Sequence, residues 1–225
     1  MKKRYTVVGL TGQTGSGKTT VCEVFREEGF FIIDCDRVAR AVTEDGTDCC
    51  RELREHFPAC IDERLHLDRR ALGKEVFADK DKLGLLNSLI FPYINREIER
   101  RIKEAAEVGQ ELILLDAPTL FEAGADRYCD LIVACTADRE LRLGRITVRD
   151  GLDRRSAEER TDSQQDDGFF RSRADYIIEN NGTREEAMTL ARRVAEDIKK
   201  EQYGKNDKQE KNGGKAQKAR RKKAE

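Results

Sequence analysis

The sequence has few of the features that mark a secreted, zinc-binding or membrane protein. It contains two histidines and no C-x-x-C pair, so no cysteine–histidine cluster has the spacing of a zinc site. No stretch approaches the roughly 18 apolar residues of a membrane span, and the basic start MKKRYTVVGL lacks an apolar segment of signal-peptide length. The seven cysteines are odd in number, which favours free, buried thiols. We therefore expect a cytoplasmic protein with no membrane partner.

Charge is abundant but nearly balanced. Charged residues make up 39% of the chain and the formal net charge is −1, which indicates no bulk attraction to nucleic acid. The balance is uneven, because residues 205–225 carry nine basic and three acidic side chains. This segment has almost no apolar residues, so we predict a basic, disordered tail. A solubilising role is favoured there over contact with RNA.

Short apolar segments alternate with longer amphipathic ones. This pattern is typical of an α/β fold in which helices cover both faces of a parallel sheet. Residues 35–110 are charged and helical in pattern, and residues 150–170 are polar enough to predict a mobile segment. The predicted strands are Tyr5–Leu10, Phe30–Ile33, Leu112–Leu115, Leu131–Ala134 and Tyr176–Ile178. The clearest predicted helices are Thr19–Glu28, Asp68–Phe77, Ile94–Val108, Asp138–Arg149 and Arg184–Lys200.

A phosphate-binding motif follows the first predicted strand. The segment Gly12–Thr19 fits G-x-x-x-x-G-K-[ST], in which glycines let main-chain amides surround phosphate oxygens at the start of a helix. Lys18 can reach the β- and γ-phosphates, and the Thr19 hydroxyl can ligate Mg²⁺. The position between a strand and a helix favours a nucleotide site over a simple glycine turn. The predicted ATP-binding residues of this loop are Gly12, Gly15, Ser16, Gly17, Lys18, Thr19 and Thr20.

Three aspartates follow predicted strands. Asp34 and Asp36 come after the second strand, at the rim of the sheet where the phosphate loop should lie. A carboxylate there can accept the proton of an attacking hydroxyl, or it can cap the next helix. Asp116 ends the segment LILLD, a pattern typical of a Walker B strand, and is predicted to hold Mg²⁺ together with Thr19.

Arginines recur along the predicted helix at 138–149. Arg142, Arg145 and Arg149 are spaced three and four apart, so they share one helical face. Such a face can neutralise a transferred phosphoryl group, but spacing alone favours a solvated surface.

The phosphate loop leaves the class of P-loop protein open. The sequence has no Asn-Lys-x-Asp element for reading guanine. Over about residues 6–200 it resembles the dephospho-coenzyme A kinase family. The segments that carry the resemblance are VGLTGQTGSGKTTV (8–21), FFIIDCDRVAR (30–40), LDRRALGKEVFAD (67–79), LNSLIFPYI (86–94), LLDAPTLFEAG (114–124) and ADYIIENNG (174–182).

This resemblance implies transfer of the γ-phosphoryl group of ATP to the 3′-hydroxyl of dephospho-coenzyme A, the last step of coenzyme A synthesis. It implies one P-loop NTPase domain, residues 1–204, with a nucleoside-monophosphate-kinase-like three-layer fold and a five-stranded parallel sheet. The core would comprise residues 1–34, 111–137 and 174–204, the helical substrate lobe 35–110 and the lid 138–173. The expected ligands are ATP, dephospho-coenzyme A and Mg²⁺. A kinase for another small molecule and a non-catalytic nucleotide-binding protein remain as alternatives.

The resemblance also implies roles for individual residues. Asp34 becomes the candidate base, and Lys18, Arg145 and Arg149 become the other catalytic residues. Asn180 and Asn181 match a segment near the adenine end of ATP, and Asn181 is the predicted contact.

The chain departs from the family pattern at three places. Phe91 stands where the family has histidine, which puts a polar contact of the substrate lobe in doubt. Gln13–Thr14 replaces Gly-Ile, and we expect these side chains to point away from the phosphates. Phe170 stands where the family has a basic residue, for which Arg171 or Arg173 is the candidate substitute.

Overall fold

A computed structural model describes the backbone of residues 4–221 and the side chains of residues 4–204. It forms three layers, with one sheet between two layers of helices. The strands are β1 (Thr6–Gly12), β2 (Phe31–Asp34), β3 (Leu112–Asp116), β4 (Leu131–Thr136) and β5 (Tyr176–Glu179). The helices are α1 (Lys18–Glu27), α2 (Cys35–Val42), α3 (Asp48–His56), α4 (Arg69–Phe77), α5 (Lys80–Glu107), α6 (Arg139–Asp150), α7 (Arg154–Asp162), α8 (Asp167–Arg171) and α9 (Arg184–Arg221), with a short 3₁₀ helix at Ala125–Tyr128.

The sheet has five strands in the order β2-β3-β1-β4-β5, and all neighbouring strands are parallel. This confirms the predicted five-stranded parallel sheet. β1 is central, so the loop that follows it leaves the sheet between β3 and β4. Asp34 and Asp116 are paired in register at the ends of β2 and β3. The phosphate loop and both aspartates therefore lie at one rim, where ligands of such sheets bind.

Strand β3 shows how one segment contributes to two cores. Leu112 and Leu114 pack with α1 and α9 on one face of the sheet. Ile113 and Leu115 pack with α2 and α5 on the other face. The run LILL is continuously apolar because both sides of the strand are buried.

Helix α5 is longer than the helix predicted at Ile94–Val108. It starts after Asp79, whose carboxylate accepts hydrogen bonds from the first amides of the helix, and it contains Pro92. Its first half packs with α3 and α4 around a separate small core. This packing carries the helix through a proline that local sequence treats as a boundary.

The segment predicted to be mobile, 150–170, instead contains α7 and α8. Asp153 accepts a hydrogen bond from the amide of Ser156 at 2.7 Å, and Asp166 accepts one from the amide of Phe169 at 2.7 Å. Both aspartates are therefore N-caps, a role in which polar residues begin helices.

Helix α9 continues to Arg221, so the backbone of residues 205–221 differs from the disordered tail predicted from composition. Lysine, glutamine, alanine and arginine in this segment are good helix formers, whereas Gly213 and Gly214 are poor ones. The side chains of 205–221 and all of 222–225 lie outside the described residues. Within the described part of the chain, no helix has the length and apolar character needed to cross a membrane.

Candidate active site

The phosphate loop joins β1 to α1, and its glycines shape it. Gly12 has a φ of 149° and Gly17 a φ of 91°, values that residues with a side chain rarely adopt. A side chain at Gly12 would collide with the carbonyl of Cys135, and one at Gly17 would collide with Asn180. Helix α1 begins at Lys18, so its first unpaired amides lie at the end of this loop. The result is a cradle of main-chain donors suited to phosphate.

A cavity of about 1240 Å³ borders this loop. This volume exceeds the roughly 300–1,000 Å³ of ordinary single-ligand pockets, so it has room for a nucleotide and a second substrate. The lining includes Gly12, Gly15, Gly17, Lys18 and Thr19, all predicted to bind ATP.

Two of the predicted loop residues do not line the cavity. Ser16 is fully buried, and its amide donates to the carbonyl of Gln13 at 3.1 Å. The amide of Thr20 donates to the carbonyl of Gly17 at 3.0 Å, within the first turn of α1. Both residues therefore shape the loop from behind.

Lys18 forms an ion pair with Asp116 at the rim of the sheet. Their side chains are only 17% and 18% exposed, so the pair is largely shielded from water. This contact holds the ammonium group in the cavity wall beside the loop.

The two aspartates after β2 have different surroundings. The carboxylate of Asp34 accepts a hydrogen bond from the amide of Arg37 at 2.9 Å and so caps α2. Asp36 lines the cavity together with Lys18. The cap turns the Asp34 side chain back toward its own helix, and its role as base stays a prediction. Of the two aspartates after β2, Asp36 is the one that lines the cavity.

The pKa of Asp36 lies above the usual range of an aspartate. Its side chain is open to the cavity, yet the surrounding protein removes part of its hydration, and this desolvation is the main cause. The negative charges of Asp34 and Asp116 add to the rise, while Lys18 and Arg40 oppose it. A raised pKa makes Asp36 a stronger proton acceptor once ionised.

Two of the three arginines of α6 line the cavity. Arg145 donates to the carbonyl of Gly15 at 3.2 Å and to the carbonyl of Asn180 at 3.0 Å. Arg149 also lines the cavity, and its Nε donates to Asp150 at 2.7 Å. Arg145 therefore contacts the phosphate loop and Arg149 lines the same cavity, while their catalytic roles stay predictions.

Arg142 has another environment, although it shares their helical spacing. It is only 6% exposed, and its Nε donates to the carbonyl of Ala137 at 3.1 Å. Burial lowers the pKa of this guanidinium. Arg142 lines a separate cavity of about 430 Å³ between α6 and the α7–α8 region.

Asn180 and Asn181 also point to different places. Asn180 is buried, and its side-chain amide donates to the carbonyl of Ser16 at 2.8 Å, under the phosphate loop. Asn181 bonds to Asp138, accepting from its amide at 2.8 Å, and lines the smaller cavity instead. The structure therefore places the predicted ATP contact Asn181 beside the phosphate-loop cavity and not in it.

One arginine of the large cavity was not among the site residues predicted from the sequence. Arg160 of α7 lines the large cavity and pairs with Asp150 at 2.8 Å, next to Arg149. It lies on a different helix from Arg145 and Arg149, so no spacing pattern connects the three. Only its place in an arginine-rich segment hinted at it.

Comparisons with known proteins also indicate a P-loop kinase. A family model described as dephospho-CoA kinase matches residues 6–186. The chain belongs to the dephospho-CoA kinase family. A dephospho-CoA kinase from Corynebacterium glutamicum is 38% identical over 192 residues, covering 85% of this chain and 98% of the relative. One from Syntrophotalea carbinolica is 36% identical over 198 residues, covering 86% and 94%.

Solved structures agree with this membership of the dephospho-CoA kinase family. A Thermus thermophilus protein matches with a TM-score of 0.72 at 30% identity, covering 84% of this chain and 95% of that one. The dephospho-CoA kinase from Campylobacter jejuni matches with a TM-score of 0.65 at 25% identity, covering 88% and 98%. The family and the P-loop kinase fold predicted from the sequence are thus confirmed.

Two departures from the pattern of dephospho-CoA kinases have a packing explanation. Phe91 packs against the core between α5 and the sheet. Phe170 is 4% exposed and lies in an aromatic cluster with Phe121 and Phe169. The candidate substitutes for a basic residue at 170 lie outside the large cavity: Arg171 pairs with Asp167 and Glu179, and Arg173 stacks 4.0 Å above the ring of Phe169.

The third departure from the family pattern links the phosphate loop to the segment between α7 and α8. The side chain of Gln13 donates to the carbonyl of Gln165 at 3.2 Å. The amide of Thr14 donates to the side chain of Gln164 at 2.8 Å, and that side chain donates back to the Thr14 hydroxyl at 2.8 Å. Both side chains contact the segment between α7 and α8.

The described residues contain oxygen ligands suited to magnesium. Thr19 lines the cavity, and Asp116 lies at the adjacent rim, so a hydroxyl and a carboxylate are available. Among the residues that the structure describes, no group of three or more acidic, cysteine or histidine side chains could hold a metal. This arrangement fits Mg²⁺, which commonly takes one or two protein ligands and completes its shell with phosphates and water.

Proposed function

We propose that this kinase transfers the γ-phosphoryl group of ATP to the 3′-hydroxyl of dephospho-CoA, producing CoA and ADP in the cytoplasm. The observation that carries the proposal is the single cavity into which the phosphate loop, Lys18, Asp36 and Arg145 all project. Family membership supports the identity of the acceptor. Seven free thiols support a reducing compartment.

The phosphate loop and Lys18 would bind the triphosphate. Main-chain amides of Gly15, Gly17, Lys18 and Thr19 would contact the phosphate oxygens. The ammonium of Lys18 would leave Asp116 to neutralise the β- and γ-phosphates. Thr19 and Asp116 are the proposed residues that would hold Mg²⁺. When bound, this ion supplies charge neutralisation to the phosphates.

Asp36 is the proposed base. The acceptor hydroxyl oxygen bonds to the γ-phosphorus, the bond from that phosphorus to the bridging oxygen of ADP breaks, and the hydroxyl proton passes to Asp36. Its position in the cavity and its raised pKa support this role. Asp34 would act indirectly, since it caps the helix that carries Asp36.

Arg145 and Arg149 would stabilise the charge that spreads over the transferred group, and Arg160 stands beside them. Guanidinium groups suit this task because they present several donors in one plane. Helices α6–α8 would form the lid, and α2–α5 the lobe that binds the acceptor. Closure of the lid would exclude water as a competing acceptor.

The test is a coupled assay of ADP release with purified protein, ATP and dephospho-CoA, with and without Mg²⁺. Shikimate, gluconate and nucleoside monophosphates serve as competing acceptors. We expect turnover with dephospho-CoA at least about 10²-fold above the other acceptors, and none when magnesium is chelated. A preference for another acceptor would identify that acceptor as the substrate. Nucleotide binding without turnover on any acceptor would contradict the proposed catalytic activity.

A further inference from the structure

A third cavity, distinct from the one beside Arg142, lies against the large one. It is about 230 Å³ and lies between α2, α4 and α5. Apolar side chains form most of its wall, among them Leu67, Leu72, Val76, Leu86 and Ile90. Phe77 lines this groove and also the phosphate-loop cavity, so the two spaces are continuous at that ring.

Phe77 has little structural role of its own. It is the last residue of α4, and its side chain is 81% exposed. When a ligand covers a large aromatic ring that is otherwise exposed to water, the burial of apolar surface stabilises the complex. Its position at the junction of two cavities indicates that the ligand passes across it.

Arg40 lies on the same side of α2 as Asp36. The two are four residues apart, which is one helical turn and about 6 Å along the axis. Arg40 lines the groove, and its guanidinium has no hydrogen bond or ion pair with any described residue. Arg69 also lines the groove but is tied to the hydroxyl and carbonyl of Thr43, each at 2.9 Å. Arg40 is therefore the cation available to an anionic group that enters past Asp36.

We propose that the acceptor runs along α2, with its reactive ribose at Asp36, its diphosphate at Arg40 and its pantetheine arm in the apolar groove beyond Phe77. The inference rests on the proposed function, because it assigns parts of dephospho-CoA to parts of the wall. Dephospho-CoA consists of a nucleoside, then two negatively charged phosphates, then a flexible arm with methylene and methyl groups. The wall offers a carboxylate, a guanidinium and an apolar groove in the same order. The phosphoryl donor would lie at the phosphate loop, so Phe77 and Arg40 would contact the acceptor alone.

The test compares Phe77→Ala and Arg40→Gln with the wild-type protein, using dephospho-CoA and adenosine as acceptors. Adenosine keeps the ribose and base but lacks the diphosphate and the arm. We expect each variant to raise KM for dephospho-CoA at least about tenfold. Phe77→Ala removes the apolar contact with the arm, and Arg40→Gln removes the charged hydrogen bonds to the diphosphate. KM for ATP and kcat/KM for adenosine should stay within about twofold of wild type, and Phe77→Tyr should restore KM for dephospho-CoA.

Matched controls lie elsewhere on the surface. Val108→Ala removes an apolar side chain that is 76% exposed at the end of α5, and Arg37→Gln removes an exposed charge from α2 outside the groove. Both should behave as wild type. Because Phe77 is exposed, its replacement should leave the thermal unfolding midpoint unchanged.

The outcomes separate the two claims. Failure of wild-type protein to phosphorylate dephospho-CoA overturns the proposed function and this inference together. Normal turnover by wild type with an unchanged KM in Phe77→Ala and Arg40→Gln overturns the inference alone. Equal losses with adenosine and dephospho-CoA also overturn it, because they would place both residues at the nucleoside.

Discussion

Lys18 and Asp116 are 98 residues apart in the chain and form an ion pair at the rim of the sheet. The pair joins the phosphate loop to the end of β3, the strand beside β1. It holds the lysine in the cavity wall. Binding of a triphosphate would exchange one anionic partner of Lys18 for another, leaving Asp116 free for a metal ion.

Replacing Lys18 tests this exchange. We expect Lys18→Ala to lower kcat by at least about 10²-fold, because the developing charge on the phosphates loses its nearest cation. Steady-state kinetics with saturating ATP measure the effect. Lys199→Ala is the control, since Lys199 pairs with Glu28 on the far side of α1. A kcat for Lys18→Ala within threefold of wild type would refute the role of Lys18 in neutralising the phosphates.

Replacing each of the two aspartates after β2 distinguishes the catalytic base, proposed to be Asp36, from the helix cap, Asp34. Asp36→Asn should reduce kcat by about 10²–10⁴-fold while ATP still binds, because the proton acceptor is lost. Asp34→Ala should instead cost about 1 kcal/mol of folding free energy, the usual value of a helix cap, with a smaller change in kcat. Kinetics and denaturant unfolding give the two quantities. The reverse pattern would restore Asp34 as the base.

Two glycines with similar backbones test the shape of the loop. Gly17 and Gly29 have φ values of 91° and 87°, but only Gly17 has a neighbour, Asn180, where a side chain would go. Gly29→Ala should cost about 1–2 kcal/mol of stability and leave ATP affinity unchanged. Gly17→Ala should also displace Asn180 and weaken ATP binding at least about tenfold. Calorimetric titration with ATP measures this, and equal ATP affinity in the two variants would contradict it.

Two cysteines at the base of the site should resist alkylation. Burial, followed by the charge of Asp116, raises the pKa of both Cys22 and Cys35 to about 12. At pH 8 the thiolate fraction would be about 10⁻⁴, against about a quarter for an ordinary cysteine. Because the thiolate fraction rises with pH, labelling by iodoacetamide should speed up between pH 8 and 10.

Mass spectrometry of labelled peptides checks this expectation. In denaturant the same two cysteines should react quickly, which is the internal control. Rapid native labelling of Cys22 at pH 8 would show that the site opens more than the structure indicates.

Local sequence was sufficient for the elements with strong, contiguous signals. The run LILLD predicted β3 because a strand buried on both faces is apolar at every position. It was insufficient for α5, because the predicted helix began at Ile94 and missed the first half, which packs against α3 and α4. It was also insufficient for residues 150–170, where aspartates that looked like loop residues cap helices.

The candidate site divides in the same way. The phosphate loop could be located from the sequence alone, since Gly12, Gly17 and Lys18 are spaced within one loop between a strand and a helix. The packing of the folded chain was needed to show that Asp36 faces the cavity while Asp34 caps α2, and that Arg142 is buried while Arg145 is not. The physical reason is that helical spacing relates residues within one helix, whereas the direction each side chain takes depends on the elements packed against it.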